Sequence, residues 1–202
     1  MIERKPDAPQ VPAADPLNWP NRLTFLRVLL VPAVISCVLS YAPGKEQLFD
    51  WALALFISAC VTDALDGYLA RRLGQMTPFG ALIDPLADKL LIVSAFVVLC
   101  FAPNLPDAAR IPAWVAVPVL TRDIVLLAGS MIVFMATGDL KAKPNLVGKA
   151  TTCVQMLTLI ACLARLPIEA RSPLFVLTVI LTLASGWHYV RSGARALQGI
   201  ST

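Results

Sequence analysis

The chain has 202 residues, of which 57% are hydrophobic and 15% are charged, and its formal net charge is +4. Soluble domains are about 45–50% apolar and about 25% charged, so this composition excludes an ordinary soluble domain and indicates an integral membrane protein. A basic rim facing anionic lipid headgroups accounts for the positive charge, so we expect no nucleic-acid partner.

The first 17 residues are polar and proline-rich, and we expect a disordered tail (1–17) followed by one membrane domain (18–202). A short juxtamembrane segment would join the tail to the first helix. The apolar runs that follow approach the ~20 residues that span a bilayer and lack a period of two, so they predict six helices and no strands. The predicted helices cover about 22–41, 47–73, 78–103, 110–136 and 172–197, and the fifth starts near Pro144.

The lysines and arginines predict the orientation, because cytoplasmic loops carry an excess of them. With the amino terminus inside, ten lie on the cytoplasmic side: Arg4, Lys5, Arg22, Arg27, Arg71, Arg72, Lys141, Lys143, Arg191 and Arg195. Four lie outside: Lys45, Arg110, Arg165 and Arg171. The predicted fold is therefore an all-α, six-transmembrane-helix bundle with both termini inside.

Four aspartates interrupt the apolar pattern where the second and third predicted helices meet. Asp63 and Asp66 are three residues apart, and Asp84 and Asp88 are four apart, so each pair shares one helical face. The connection between the two helices is short, which predicts antiparallel neighbours. We therefore expect the four carboxylates to converge just below the inner membrane surface, where the active site would face the cytoplasm.

Converging carboxylates repel one another in a medium of low dielectric constant and need compensating charge. Ligands that are all oxygen favour a hard cation, so we predict Mg²⁺ or Mn²⁺ and expect two ions. Two such ions beside a lipid headgroup suggest phosphoryl chemistry. A single aspartate near a helix end is commonly solvated or paired with arginine, but four in two matched registers favour a shared function.

The residues around the aspartates follow the pattern Asp63-x-x-Asp66-Gly67-x-x-Ala70-Arg71, eight residues, Gly80-x-x-x-Asp84-x-x-x-Asp88. This pattern resembles the signature of the CDP-alcohol phosphotransferase family. Further segments are similar to members of that family, so that the resemblance covers residues 18–197: Asn18 to Thr24 with Arg27 and Pro32, Arg122-Asp123, and Gly148-Lys149.

The resemblance implies that a hydroxyl group attacks the lipid-side phosphorus of CDP-diacylglycerol and that CMP leaves. It implies that Asp63, Asp66 and Asp84 bind metal, and that Asp88 also binds metal and accepts the proton of the hydroxyl. It further implies a homodimer. The residues that would hold the CDP-lipid are Asn21, Thr24, Gly67, Arg71 and Thr77.

Arg122 and Lys149 are cations near the inner ends of predicted helices, and charges inside a membrane usually serve a function. We predict that they bind the phosphate of an acceptor, glycerol 3-phosphate. Two other interpretations stay open: Arg122 pairs with an aspartate, or Lys149 extends to the interface.

The pattern of aspartates does not fix the acceptor. Phosphatidylglycerol, which would yield cardiolipin, is the alternative to glycerol 3-phosphate. A small cation transporter with an acidic inner mouth is a more remote hypothesis. Transport would need polar residues across the bilayer, and the third predicted helix after Lys89 reads LLIVSAFVVLCFA, with one serine.

Overall fold

The computed structural model describes the backbone of residues 19–73, 78–137 and 146–198 and, within them, the side chains of 26, 28–62, 89–129, 146–189 and 191. These residues form helices and no strand, which confirms the all-α prediction. The six helices are α1 (Trp19–Leu39), α2 (Gln47–Leu73), α3 (Pro78–Phe101), α4 (Ala113–Thr137), α5 (Leu146–Leu163) and α6 (Ile168–Gln198). The predicted tail of residues 1–17 lies outside the described residues.

Helix α6 begins earlier than the sequence pattern predicts, at Ile168 rather than at residue 172. The carbonyl of Pro167 accepts hydrogen bonds from the N–H groups of Ala170 and Arg171, at 3.0 and 3.2 Å, and so starts the helix. The prediction placed the boundary after the charged residues. Arg171 is instead part of the helix and is buried.

The core runs through all six helices as one cluster of apolar side chains. In α2, Phe49, Ala52, Phe56 and Ala59 recur every three or four residues and have no exposed surface, so they form one buried face. This face packs with buried residues of the other helices, among them Val34 and Val38 of α1, Leu91, Ile92, Ala95, Phe96 and Leu99 of α3, Val115 and Val119 of α4, Leu159 of α5 and Phe175 of α6. Helix α1 packs on α2 and α3, α6 packs on α4 and α5, α3 packs on α4, and α5 also meets α2 and α3.

After Phe175, the buried side chains in the described part of α6 are polar, and large apolar side chains lie on its outer side. Thr178, Thr182 and Ser185 are buried, whereas Leu183 and Trp187 on the outer side are 61% and 74% exposed. This is the reverse of a helix on the surface of a soluble protein, and it fits apolar surroundings. Among the described residues, two stretches are long and apolar enough to cross a membrane, Leu146–Leu163 and Ile168–Tyr189. The structure therefore supports a membrane protein.

Arg165 ties together two connections at one end of the bundle. The N–H of Leu166 donates to the carbonyl of Ala161 and that of Arg165 to Cys162, which is the Schellman pattern at the end of α5. Arg165 takes the position that glycine usually occupies there, with φ of 55°, a conformation that costs a side-chain-bearing residue about 1–2 kcal/mol. Its guanidinium donates to Glu46 Oε2 and to Asp50 Oδ1, each at 2.6 Å, which offsets part of that cost.

The hydroxyl of Tyr41 belongs to the same cluster and donates to Glu46 Oε1 at 3.0 Å. Burial of the ring is the larger cause that raises the pKa of Tyr41 above its ordinary value, and this hydrogen bond is the next. The hydroxyl therefore keeps its proton, and the hydrogen bond is retained, throughout the neutral pH range.

Arg171 holds the connection between α3 and α4 at the same end of the bundle. Its two terminal nitrogens donate to the carbonyls of Arg110 and Asp107, both at 3.3 Å. Three connections thus gather at this end: 40–46, 102–112 and 164–167. The opposite ends of α2, α3, α4 and α5 consequently face the other end of the bundle, and the residues predicted to act in catalysis lie on those parts of the helices.

Replacing Phe56 with alanine should lower the free energy of unfolding by about 3–5 kcal/mol, because it leaves a cavity in the shared core. Ile57→Ala on the outer face of α2 is the matched control, since Ile57 is 40% exposed. Thermal unfolding in detergent measures both. Equal losses in the two variants would contradict the assignment of the buried face.

Candidate active site

The face of α4 that packs into the core also carries two charges. Val115, Val119 and Arg122 follow one another at intervals of four and three residues, and Asp123 lies one turn after Val119. Arg122 is 8% exposed and Asp123 is 1% exposed. Charged groups this deeply buried must be paired, because taking an isolated charge out of water costs several kcal/mol.

Asp123 is the centre of a buried ion cluster. Its Oδ1 accepts hydrogen bonds from Lys89 Nζ at 2.8 Å and from Arg122 Nη1 at 2.6 Å. Lys89 directly follows Asp88 in α3. The cluster therefore joins α3 to α4 one residue beyond the position of the predicted catalytic aspartate.

The described members of the cluster are two cations and one anion, Lys89, Arg122 and Asp123. Arg122 Nη2 donates to the Ser185 hydroxyl at 2.8 Å. In the described part of the chain, the buried Arg122 Nε has no hydrogen-bond partner. A guanidinium with a donor that the described residues leave unused suits an anion.

Gly148, in the first turn of α5, leaves space beside this guanidinium. A Cβ atom at this position would lie 3.6 Å from Arg122 Nη2 and 3.9 Å from Ser185 Oγ, so any side chain here would cover that side of the arginine. The first N–H groups of a helix have no acceptors within the helix and favour negative charge. Lys149 follows in the same turn and is exposed. Arg122 thus lies beside the first turn of α5, which also carries Lys149.

The other predicted site residues are placed only by their backbone. Asp63, Asp66, Gly67 and Arg71 lie in the last part of α2, Asp84 and Asp88 in the first part of α3, and Asn21 and Thr24 in the first turns of α1. Their side chains, and the whole of Thr77, lie outside the described residues, so the convergence of the four carboxylates stays a prediction. The side chains that are described contain no group of three or more potential metal ligands.

Sequence reasoning missed the roles of Asp123 and Ser185. Asp123 directly follows Arg122 in the sequence, but the alternative hypothesis for Arg122 does not specify which aspartate it pairs with. Ser185 follows Thr178 and Thr182 at helical spacing on an otherwise apolar helix, which is a detectable sign of a polar buried face. Their contacts depend on how α3, α4 and α6 are rotated against one another, which one sequence does not specify.

Replacing Asp123 with alanine should lower the free energy of unfolding by about 3–5 kcal/mol, because Arg122 and Lys89 lose their shared acceptor and Arg122 stays buried. Lys149→Ala removes an exposed charge and should change the free energy of unfolding by less than about 0.5 kcal/mol. Thermal unfolding in detergent compares them. A loss no larger for Asp123→Ala than for Lys149→Ala would mean that the cluster does not stabilise the bundle.

Comparison with known proteins places the chain among phospholipid-synthesising enzymes. A CDP-diacylglycerol–glycerol-3-phosphate 3-phosphatidyltransferase of Bacillus subtilis is 34% identical over 198 residues, which covers 90% of this chain and 97% of the relative. A probable phosphatidylglycerophosphate synthase of Mycobacterium tuberculosis is 36% identical over 193 residues, 91% of this chain and 85% of the relative. A CMP-forming cardiolipin synthase of Oryza sativa is 35% identical over 170 residues, 79% of this chain but 50% of the relative.

The family comparison covers most of the chain. Residues 17–184 match the CDP-alcohol phosphatidyltransferase family, a range that includes α1 to α5, most of α6 and every predicted site residue. This confirms the family that the pattern of aspartates and glycines predicts. The chain belongs to the CDP-alcohol phosphatidyltransferase family.

Proposed function

We propose that the protein transfers the phosphatidyl group of CDP-diacylglycerol to a hydroxyl of glycerol 3-phosphate, forming phosphatidylglycerol phosphate and CMP. One observation carries this proposal: relatives named for this reaction align with about nine-tenths of the chain and over 97% and 85% of their own length. The buried guanidinium of Arg122, in the cluster beside the position of Asp88, supports an acceptor that carries a phosphate.

In the proposed reaction, Asp88 takes the proton of the glycerol 3-phosphate hydroxyl. The hydroxyl oxygen forms a bond to the phosphorus on the diacylglycerol side, and the bond from that phosphorus to the CMP oxygen breaks. A carboxylate can serve as a general base when it is within hydrogen-bond reach of the proton. Asp88 is suited to this role because it lies one residue before Lys89, which is part of the cluster proposed to receive the acceptor.

Asp63, Asp66, Asp84 and Asp88 are proposed to hold Mg²⁺ or Mn²⁺, with two ions in the site. The donor set fits such hard cations, because carboxylate oxygens are the ligands they prefer. When bound, the ions would supply positive charge to neutralise the phosphates and the departing CMP.

The CDP-lipid is proposed to bind along α1, α2 and the α2–α3 connection. Arg71 offers a guanidinium that can contact a pyrophosphate through two N–H groups. Gly67 lets the nucleotide approach the helix backbone, because it has no side chain. Asn21, Thr24 and Thr77 would add polar contacts.

The acceptor phosphate is proposed to bind between Arg122 and Lys149. The unpartnered Arg122 Nε among the described residues and the close approach of Gly148 to the guanidinium support this position. Arg122 does pair with an aspartate, as the alternative hypothesis states, but that aspartate is Asp123 and it is shared with Lys89. This pairing uses Nη1 and leaves Arg122 Nε without a partner among the described residues.

Phosphatidylglycerol is the second candidate acceptor, because a cardiolipin synthase is 35% identical to the chain. Glycerol 3-phosphate is favoured because its transferases from Bacillus subtilis and Escherichia coli align over 97% and 96% of their own length, whereas two cardiolipin synthases align over 50% and 65% of theirs. The remote hypothesis of cation transport gains no support from the described interior. The buried polar residues between α5 and α6 are uncharged and bond to one another.

We further propose that all six helices span the membrane, that both termini and the active site face the cytoplasm, and that the protein is a homodimer. The placement of the arginines supports the topology. Arg110, Arg165 and Arg171, predicted outside, gather around the three connections at one end, whereas Lys89, Arg122 and Lys149 lie toward the other. Exposed apolar side chains on several helices, such as Trp51 and Ile124, fit contact with lipid.

Purified protein in detergent, given CDP-diacylglycerol and Mg²⁺ or Mn²⁺, should release CMP with glycerol 3-phosphate and form phosphatidylglycerol phosphate. Phosphatidylglycerol, inositol phosphate and serine, offered separately, should give much less product by mass spectrometry. An EDTA-treated sample is the control and should be inactive until metal is restored. Undiminished turnover in excess chelator would refute the metal role, and cardiolipin as the main product would assign the second acceptor.

Asp88→Asn should lower turnover by about 10²–10⁴-fold while CDP-diacylglycerol still binds, because the amide cannot accept the proton. Asp107→Asn, in the exposed connection at the opposite end, is the control and should keep normal turnover. Rates of CMP release and equilibrium binding of the CDP-lipid distinguish the two effects. A normal rate in Asp88→Asn would assign the base to another group.

A further inference from the structure

The interface between α5 and α6 is held by hydrogen bonds between buried side chains. Thr158 and Thr178 bond through their hydroxyls at 2.8 Å, and Gln155 Nε2 donates to Thr182 Oγ1 at 3.4 Å. Thr151 donates to the carbonyl of Leu181 at 3.1 Å. Small polar residues between helices allow close packing and are expensive to leave unpaired in apolar surroundings. These bonds therefore fix the rotation and register of α6 against α5.

Ser185 comes next on this polar face of α6, at the end that meets the ion cluster. Its position follows Thr178 and Thr182 at intervals of four and three residues. Its hydroxyl accepts from Arg122 Nη2 rather than bonding to α5. The register set by the α5–α6 bonds thus places the uncharged Ser185 hydroxyl beside the Arg122 guanidinium, where it accepts a hydrogen bond.

Arg122 is held at both ends of its guanidinium by different helices. Asp123 of α4 binds Nη1, and Ser185 of α6 binds Nη2. A guanidinium is planar, so two fixed nitrogens determine where its remaining N–H groups point. Asp123 contributes charge as well as orientation, whereas Ser185 contributes orientation without changing the charge of the cluster.

We propose that Ser185 is a positioning residue that orients the guanidinium of Arg122 toward the phosphate of the acceptor. This inference rests on the proposed function, because it requires an acceptor that carries a phosphate. Without the hydroxyl, the guanidinium keeps its charge and its bond to Asp123 but can rotate about that bond. Acceptor binding then weakens, while binding of the CDP-lipid, through other residues, does not.

Ser185→Ala tests this role in the full-length protein in detergent. The KM for glycerol 3-phosphate should rise about tenfold, in keeping with the loss of one hydrogen bond to a charged group, and the KM for CDP-diacylglycerol should stay constant. Ser185→Cys fills the same space with a weak acceptor and should raise the acceptor KM in the same way. Ser185→Thr retains the hydroxyl and should keep the KM for glycerol 3-phosphate at the wild-type value.

Thr182→Ala is the matched control, because it removes a buried hydroxyl one turn away whose described bond goes to Gln155. It should lower thermal stability and leave both KM values unchanged, because the bonds of Thr151 and Thr158 still hold α6 in register. An unchanged acceptor KM in Ser185→Ala and Ser185→Cys would overturn the inference. So would an equal rise in Thr182→Ala, or an equal rise in the KM for CDP-diacylglycerol, since each would indicate a general structural effect.

The wild-type protein separates this inference from the proposed function. If it uses phosphatidylglycerol and not glycerol 3-phosphate, the proposed function is wrong, and the Ser185 variants are compared with phosphatidylglycerol, which also carries a phosphate. The same rise in acceptor KM is then expected. Wild-type protein that accepts neither compound would overturn the inference together with the proposed function.

Discussion

The interior of the bundle depends on the ion pairs that the Asp123 carboxylate forms with Lys89 and Arg122. An apolar bundle can bury cations only if an acceptor is buried with them, and here a single oxygen serves Lys89 of α3 and Arg122 of α4. Ser185 extends the same cluster to α6. The three helices α3, α4 and α6 thus meet at this cluster, in which one described carboxylate is shared by two cations.

The two ends of the bundle use buried arginines for different purposes. At one end, Arg171 directs both terminal nitrogens to backbone carbonyls, and its guanidinium carbon lies 5.8 Å from the centre of the Phe175 ring. That arrangement closes a connection between helices. At the other end, Arg122 lies beside Gly148 and donates to Asp123 and Ser185. The two arginines are therefore both buried but differ in the groups that their guanidinium nitrogens contact.

Much of the fold could be predicted because apolar runs close to the length that spans a bilayer restrict where helices can begin and end. Helix α2 has the predicted bounds, and α3 begins at Pro78 as predicted, since a proline suits the first turn. The start of α6 could not be predicted from the charge-free run, because Arg171 interrupts that run. Its place inside the helix is explained only by its hydrogen bonds to the α3–α4 connection. The contacts of Arg122 were equally hidden, because they depend on the relative rotation of three helices.

The family and the proposed acceptor cations follow from residue identity and spacing, whereas the geometry of the aspartates still rests on the sequence. The account as a whole requires that α2 and α3 bring four carboxylates to one place next to the cluster around Asp123. Anomalous diffraction from crystals grown with Mn²⁺ measures this most directly. We predict Mn²⁺ peaks between α2 and α3 bound by Asp63, Asp66, Asp84 and Asp88. Crystals in which these side chains point to separate surfaces, with no Mn²⁺ among them, would contradict it.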